Sequence, residues 1–248
     1  RDCTIEGRTN TPCLLVLDGT STIWDSIITG LGNYTTSPAT LVELTAGECN
    51  LYRCIADGTR AVGYPHFPIL HVTDGTMNVE GCVILIGPSD QSLAYNGLYG
   101  IRVDAGEATF IHNTVYAPSA TAKDRPNGVY MVDPDVIVRG NLFLGLSRCV
   151  REVVEDSYSD ATGAGYNVFL ALIDRPDQYI VYDGTGAGNV TDTDVTTGTV
   201  PTFVNPTAPF DMRLATRGEA ADLVPSDAYQ RESYTLTVPA GWTVTPGR

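Results

Sequence analysis

The sequence predicts an all-β fold, a parallel β-solenoid, and three observations support this prediction. Short strand-like segments end in similar turns at a nearly constant spacing. Glycine (25) and proline (15) are spread along the 248 residues, as a chain with many turns requires. Thr, Val, Asp and Tyr recur while long windows rich in Leu, Glu and Lys are missing, which favours strands over helices.

The turns define a repeat. The endings "VELTAG", "HVTDG", "RVDAG" and "MVDP" place unit boundaries at Gly19, Gly47, Gly75, Gly106 and Pro134, so the spacing is 28 to 31 residues. A period in this range, in a strand-rich chain, is typical of stacked units that cannot bury their apolar faces alone. Each unit is predicted to be one coil of strand, bend, strand, variable loop, strand and turn.

Each unit opens with the same alternation of apolar and polar residues. Residues two apart share a face of a strand, so two columns are expected to point inward. The first column is Ile5, Ile23, Leu51, Val79, Phe110 and Val138. The second column is Cys3, Ser21, Cys49, Met77, Ala108 and Val136.

A third column follows at the bend, three residues after the first. It contains Arg8, Ser26, Cys54, Cys82, Asn113, Asn141 and Asn167. Asparagines on successive parallel strands can pass amide hydrogen bonds up a stack. We therefore predict that Asn113, Asn141 and Asn167 form a buried structural ladder.

The six cysteines form no CxxC pair, so a zinc knuckle is not expected and no metal site is predicted. Most of them occupy apolar positions of strand-like segments. We expect small buried side chains, with Cys54 and Cys82 as free thiols on adjacent coils, because side chains that run parallel up a stack have poor torsion for a disulfide. A disulfide framework is the alternative.

Composition also restricts the partners. A formal net charge of −14 repels phosphate backbones and anionic lipids, which argues against nucleic-acid binding. No run approaches the roughly 18 apolar residues of a membrane helix, so membrane insertion is not expected. The chain has no initiator Met and no signal peptide, and we expect a processed product or a part of a longer protein.

The period loosens after Val154. We predict a solenoid domain over 1–223, with coils of about 28 residues and an irregular C-terminal cap. The stretch "ESYTLTVPAGWTVTPGR" alternates like an edge hairpin, so 224–248 is predicted to be a separate C-terminal extension.

Over residues 2–223 the chain resembles the right-handed parallel β-helix repeat proteins, the superfold of pectate lyases and many phage tailspikes. The resemblance rests on the coil openings, the asparagine ladder and "PFDMRLATRGEAAD", which is similar to the "DFRLAPGSPAID" ending of bacterial and phage members. It implies the fold and its handedness but no particular reaction. It also implies a homotrimer, the common state of the phage members.

Enzymes of this superfold carry carboxylates and a basic residue on outward positions of neighbouring strands. Here Glu43, His71, Arg102 and Met131 are predicted to share one outward column, with Asp104 and Asp133 two residues further along on the same face. Such a group could support acid–base catalysis or bind an anionic sugar. The alternative is ordinary pairing of opposite charges on neighbouring strands. No cofactor is expected, except calcium if the protein is a lyase.

Aromatic residues mark a second candidate surface. Another outward column contains Glu6, Trp24, Tyr52, Glu80, Ile111 and Arg139, and Trp24 above Tyr52 could offer ring faces to a sugar or a protein. The loops add Tyr34, Tyr64 and Tyr95 as candidate contact residues. The alternative is that a loop or a terminus covers these rings.

Three hypotheses for function follow. The first is a structural or adhesive module of a virion, such as a tail spike, a fibre or a capsid-decorating protein, with protein partners or surface glycans. The second is a secreted polysaccharide lyase or glycoside hydrolase. The third is a carbohydrate-binding module without catalysis. All three imply a virion or extracellular location, and the first is favoured because no known catalytic set can be placed.

Overall fold

The computed structural model describes residues 1–7, 12–30, 32–34, 40–59, 61–63, 68–87, 98–118, 126–132, 135–152, 167–170, 180–181, 190–191, 202–205 and 211–216. These residues form strands, turns and bends, and none of them is helical. Three parallel sheets run along a solenoid, and the chain visits them in turn. The predicted all-β parallel solenoid is thereby confirmed.

Sheet A, the first of the three, has eight strands that are parallel throughout. In order along the stack they are β1 (Thr4–Gly7), β4 (Ile27–Gly30), β8 (Ile55–Asp57), β12 (Val83–Leu85), β15 (Thr114–Tyr116), β18 (Leu142–Leu144), β20 (Val168–Leu170) and β22 (Val190–Thr191).

Sheet B has seven strands and sheet C has five, again all parallel. Sheet B contains β2 (Leu14–Val16), β6 (Val42–Leu44), β10 (Pro68–Val72), β13 (Tyr99–Val103), β16 (Asn127–Met131), β19 (Arg148–Glu152) and β21 (Ile180–Val181). Sheet C contains β3 (Thr20–Trp24), β7 (Glu48–Tyr52), β11 (Thr76–Glu80), β14 (Glu107–Ile111) and β17 (Asp135–Arg139).

Two small sheets lie outside this pattern. Strand β5 (Gly32–Tyr34) pairs parallel with β9 (Ala61–Gly63). Strand β23 (Thr202–Asn205) pairs antiparallel with β24 (Asp211–Thr216). The hairpin predicted within 224–248 lies outside the described residues, so the domain boundary at 223 stays a prediction.

The inward columns of sheet C follow the predicted register. Ile23, Leu51, Val79, Phe110 and Val138 are successive partners across the sheet, and all but the first are fully buried. The second column, from Ser21 to Val136, is likewise in register. These side chains pack into one continuous apolar core between the three sheets.

The expected place of the first coil is wrong. Strand β1 belongs to sheet A, where Ile5 pairs with Ile28 and Glu6 pairs with Thr29. Alternation marks a strand but does not say which of three sheets it joins, and "CTIEG" alternates as well as any sheet C strand does. Cys3 therefore begins the third column, at the position expected for Arg8, which lies outside the described residues.

The third column carries hydrogen bonds from coil to coil at the bend between sheets C and A. Asn113 Oδ1 accepts from the Cys82 amide at 2.9 Å, Asn141 Oδ1 from the Asn113 amide at 2.8 Å, and Asn167 Oδ1 from the Asn141 amide at 2.9 Å. The Nδ2 group of each Asn donates to a carbonyl of the sheet C strand one coil earlier, as from Asn141 to Phe110 O at 2.9 Å. All three side chains are buried.

Thiols occupy the same column nearer the first coil. There a single sulfur atom makes both hydrogen bonds that Oδ1 and Nδ2 make in the asparagines. Cys82 Sγ accepts from the Cys54 amide at 3.3 Å and donates to Leu51 O at 3.5 Å, the carbonyl equivalent to the one that Asn113 contacts. Both cysteines are buried, and all six cysteines are free, as expected. Burial raises the pKa of Cys82 well above its ordinary value and that of Cys49 to about 12.

The recurring glycine turn joins sheet B to sheet C and needs glycine for two reasons. Gly75 has φ +90°, a left-handed conformation that side chains disfavour. A Cβ on Gly75 would also lie 2.5 Å from the carbonyl oxygen of Gly47, which accepts a hydrogen bond from Thr76 N at 2.9 Å. Stacked glycines therefore let the coils approach closely enough to continue the hydrogen-bond ladder.

The opposite bend, between sheets C and A, is also left-handed but has room for side chains. Asp25, Arg53 and His112 occupy equivalent positions with φ between 51° and 57°. Arg53 donates two hydrogen bonds to Asp25, with Nε–Oδ1 at 2.6 Å and Nη2–Oδ2 at 2.8 Å, and these bonds hold the pKa of Asp25 below its usual range.

Substituting Asn141 with Leu is expected to lower the free energy of unfolding, because the Asn113 amide and Phe110 O lose buried partners at about 1–3 kcal/mol each. Asn78→Leu is the matched control, since Asn78 lies half-buried on the outer side of sheet C and water can replace its bond. Urea denaturation measures both variants. Equal losses would contradict the assigned role of the ladder.

Gly75→Ala is expected to destabilise the fold more than Gly19→Ala. Gly19 also has positive φ, but an added Cβ would meet nothing within 4 Å, so this variant isolates the conformational cost of about 1–2 kcal/mol. At Gly75 the backbone contact adds roughly 1–3 kcal/mol. Thermal and urea unfolding of the two variants would show equal losses if the close coil approach were unimportant.

Candidate functional site

The outer side of sheet B brings the predicted catalytic residues together. Glu43, His71 and Arg102 are register partners on β6, β10 and β13, so they stand in one row across the strands. Asp104 follows two residues after Arg102, just beyond the end of β13. Because parallel strands lie about 4.8 Å apart, the row forms a compact polar surface.

The fourth residue of this row is Tyr130, and the expectation of Met131 is wrong. Tyr130 pairs with Arg102, whereas Met131 pairs with Val103 and is fully buried. The shared letters "VD" in "RVDAG" and "MVDP" suggested an alignment that is one residue out, and a one-residue slip exchanges the two faces of a strand. Val132 consequently takes the position equivalent to Asp104, and Asp133 lies outside the described residues.

Asp104 is the centre of the polar cluster. Its Oδ2 lies 2.9 Å from His71 Nε2, and its Oδ1 accepts a hydrogen bond from Arg102 Nε at 2.8 Å. Burial by itself would raise the pKa of the Asp104 carboxyl, but the hydrogen bonds from Arg102 and His71 outweigh burial, and the pKa lies below its usual range. Asp104 is therefore ionised at neutral pH and suited to hold cations and donors in place.

Two tyrosines pack against Arg102, the buried Tyr99 and the half-exposed Tyr130, and sequence reasoning missed both. The Arg102 guanidinium carbon lies 5.9 Å from the ring centroid of Tyr99 and 5.6 Å from that of Tyr130, within the range of cation–π contacts. The two rings lie 4.8 Å apart, tilted by 56°. Counting the 28-residue period from Arg102 would have found Tyr130. We call Glu43, His71, Arg102, Asp104, Tyr99 and Tyr130 the arginine–tyrosine face.

Glu43 occupies the end of this face nearest the first coil. It is half-buried, and in the described part of the chain no hydrogen bond or ion pair joins its carboxylate to His71 or to another side chain. The two terminal amino groups of Arg102 likewise have no hydrogen-bond partner within the described ranges, since only Nε contacts Asp104. The face thus presents one carboxylate and two terminal amino groups that have no hydrogen-bond partner among the described residues.

The aromatic pair on sheet C lies on adjacent coils, as expected. Trp24 and Tyr52 are register partners whose rings stack at 4.1 Å between centroids with 25° between planes. Rings that stack along the solenoid cover each other's faces, and the Arg53 guanidinium lies 5.2 Å from the Trp24 centroid. One face of each ring is therefore occupied within the protein, and the contact of this pair with a sugar or a protein stays a prediction.

The remaining candidate residues are placed as follows. Tyr34 is the last residue of β5, while Tyr64 and Tyr95 lie outside the described residues.

Among the residues that the structure describes, no three His, Cys, Asp or Glu side chains are grouped to hold a metal ion. The described residues also include no helix of the length and apolar character needed to cross a membrane.

Comparisons with protein-family models, with curated proteins and with solved structures found no match to this chain. The parallel solenoid and the geometry of its outer surfaces are therefore what bears on function.

Substituting Asp104 with Asn is expected to lower stability at neutral pH and to matter less in acid. A carboxyl whose pKa is lowered by folding stabilises the fold above its ordinary pKa of about 4, and this contribution is lost as the pH falls through the folded value. The difference in unfolding free energy between wild type and variant should therefore shrink below about pH 4. A difference that stays constant from pH 7 to pH 3 would contradict the ionic contacts of Asp104.

Proposed function

We propose that the protein is a structural or adhesive β-helix module that binds glycans through the arginine–tyrosine face, without catalysis. One observation carries the proposal. Arg102 is held by Asp104 and by two tyrosine rings, and no described residue accepts a hydrogen bond from either of its terminal amino groups. A guanidinium that is fixed in place and already partly desolvated loses little entropy when it binds a ligand.

The scaffold supports the same proposal. Arg102 and Tyr130 project from adjacent strands whose register is set by backbone hydrogen bonds. The residues that flank them along these strands are buried in the core: Ile101, Val103, Val129 and Met131. Sites built on strands hold side chains more accurately than sites on loops. A rigid, regular surface of this kind suits repeated contacts with a polymer or with neighbouring proteins in an assembly.

The setting is also a proposal. The resemblance in coil openings and closing segment supports a pectate-lyase-like or tailspike-like β-helix in a virion or another extracellular assembly. The phage members of that superfold make a homotrimer the proposed oligomeric state. Protein partners and surface glycans are the proposed ligands.

A polysaccharide lyase or glycoside hydrolase is the second candidate, and one contact favours it. His71 Nε2 lies 2.9 Å from Asp104 Oδ2, the arrangement in which a carboxylate orients an imidazole for proton transfer. Against a hydrolase, the lowered pKa of Asp104 makes this carboxyl a poor general acid at neutral pH. A lyase would add calcium as a proposed cofactor.

Incubation with a panel of polysaccharides separates the two candidates. We expect binding without release of new reducing or unsaturated ends, and Arg102→Gln should weaken binding about tenfold or more because its charged donors are lost. Glu107→Gln, at an exposed position at the start of β14 in sheet C, is the control and should bind as wild type does. Release of ends, reduced about 10²-fold or more in His71→Gln, would establish the enzyme instead.

A further inference from the structure

The charge of the arginine–tyrosine face restricts what it can bind. Two carboxylates, Glu43 and Asp104, stand against the guanidinium of Arg102, which already contacts Asp104. Beyond this face, Arg151 takes the next position of the row as the register partner of Tyr130. Glu43 is two strands away from Arg102, about 10 Å at the usual strand spacing. With or without a proton on His71, the face has no net positive charge.

An anionic sugar is therefore poorly matched to this surface. A carboxylate or sulfate near Arg102 would also approach Asp104, and a chain that runs from there toward β6 would pass Glu43. The protein as a whole carries a net charge of −14, which further repels an acidic polymer. Selective recognition of anions normally uses clustered cations, whereas Arg102 and Arg151 stand two strands apart in the row, about 10 Å at the usual strand spacing, with Tyr130 between them.

Hydroxyl groups match the available hydrogen-bonding atoms. The Glu43 carboxylate can only accept hydrogen bonds, and the terminal amino groups of Arg102 can only donate them. A sugar hydroxyl does both, so one neutral sugar chain lying across the strands satisfies both ends of the face. Tyr130 lies half-exposed beside Arg102 on the next coil, and its ring provides apolar contact for the sugar ring.

We propose that the arginine–tyrosine face selects neutral glycans, which carry hydroxyls but no carboxylate or sulfate, with Glu43 as acceptor and Arg102 as donor. This inference rests on the proposed glycan binding and adds the class of ligand. Glu43 thereby acts as a specificity residue: it binds sugar hydroxyls and repels acidic chains.

Calorimetric titration tests the selectivity in about 0.15 M salt, where long-range repulsion is screened beyond about 8 Å. The neutral probes are oligosaccharides from dextran, galactan and mannan, and the acidic probes are oligogalacturonate and heparin oligosaccharides. We expect binding of at least one neutral probe and of neither acidic probe. Glu43→Ala should weaken neutral binding about tenfold or more, because a charge-assisted hydrogen bond is lost. Glu107→Ala, the matched control on sheet C, should leave binding unchanged.

Each outcome decides the question. Tighter binding of either acidic probe than of the neutral ones, or neutral binding unaffected by Glu43→Ala, would overturn the selectivity while glycan binding itself stands. Binding of no probe by a wild-type protein with a cooperative melting transition would overturn both the selectivity and the proposed function. A melting temperature of Glu43→Ala near that of wild type ensures that lost binding reflects the face and not the fold.

Discussion

The hydrogen bonds that pass from coil to coil at the bend between sheets C and A are the constraint on which the rest of the structure depends. A strand ladder is interrupted wherever the chain turns, and a buried amide at a bend must find another acceptor. Here the side chain of the next coil provides it, as Asn141 does for the Asn113 amide. The same column uses Ser26 at the first coil, thiols in the middle and amides above.

This interior order fixes the exterior chemistry. The bend and the glycine turn set each coil on the one below. The outward residues of sheet B are thereby in register whether or not their side chains contact one another. Glu43, His71 and Arg102 are separated by 28 and 31 residues in sequence yet stand in one row. The repeat therefore sets the positions of the arginine–tyrosine face, and the side chains at those positions set its chemistry.

Much of the fold could be predicted from the sequence. The period of the repeat gives the length of a coil, and the alternation of apolar and polar residues gives the face of the strand on which each residue lies. They identified the inward columns of sheet C and the asparagines of the bend. They could not tell which sheet β1 joins, since every edge strand alternates in the same way. Letter similarity also placed Met131 where Tyr130 stands, and Tyr99 went unnoticed, because its contact with Arg102 depends on how the side chains turn and not on spacing.

The arrangement of the coils has a mechanical consequence. Each coil is hydrogen-bonded mainly to the one above and the one below. A force that pulls the ends of the chain apart along the solenoid is therefore carried by every layer, and a terminal coil, which has a neighbour on one side only, separates first. A peeled coil of 28 residues, the offset between Glu48 and Thr76, releases roughly 90–100 Å of chain, against the roughly 5 Å that it occupies when folded. Under tension the molecule would therefore lengthen in steps, one coil at a time, and each step would dissipate mechanical energy as the hydrogen bonds of that coil break.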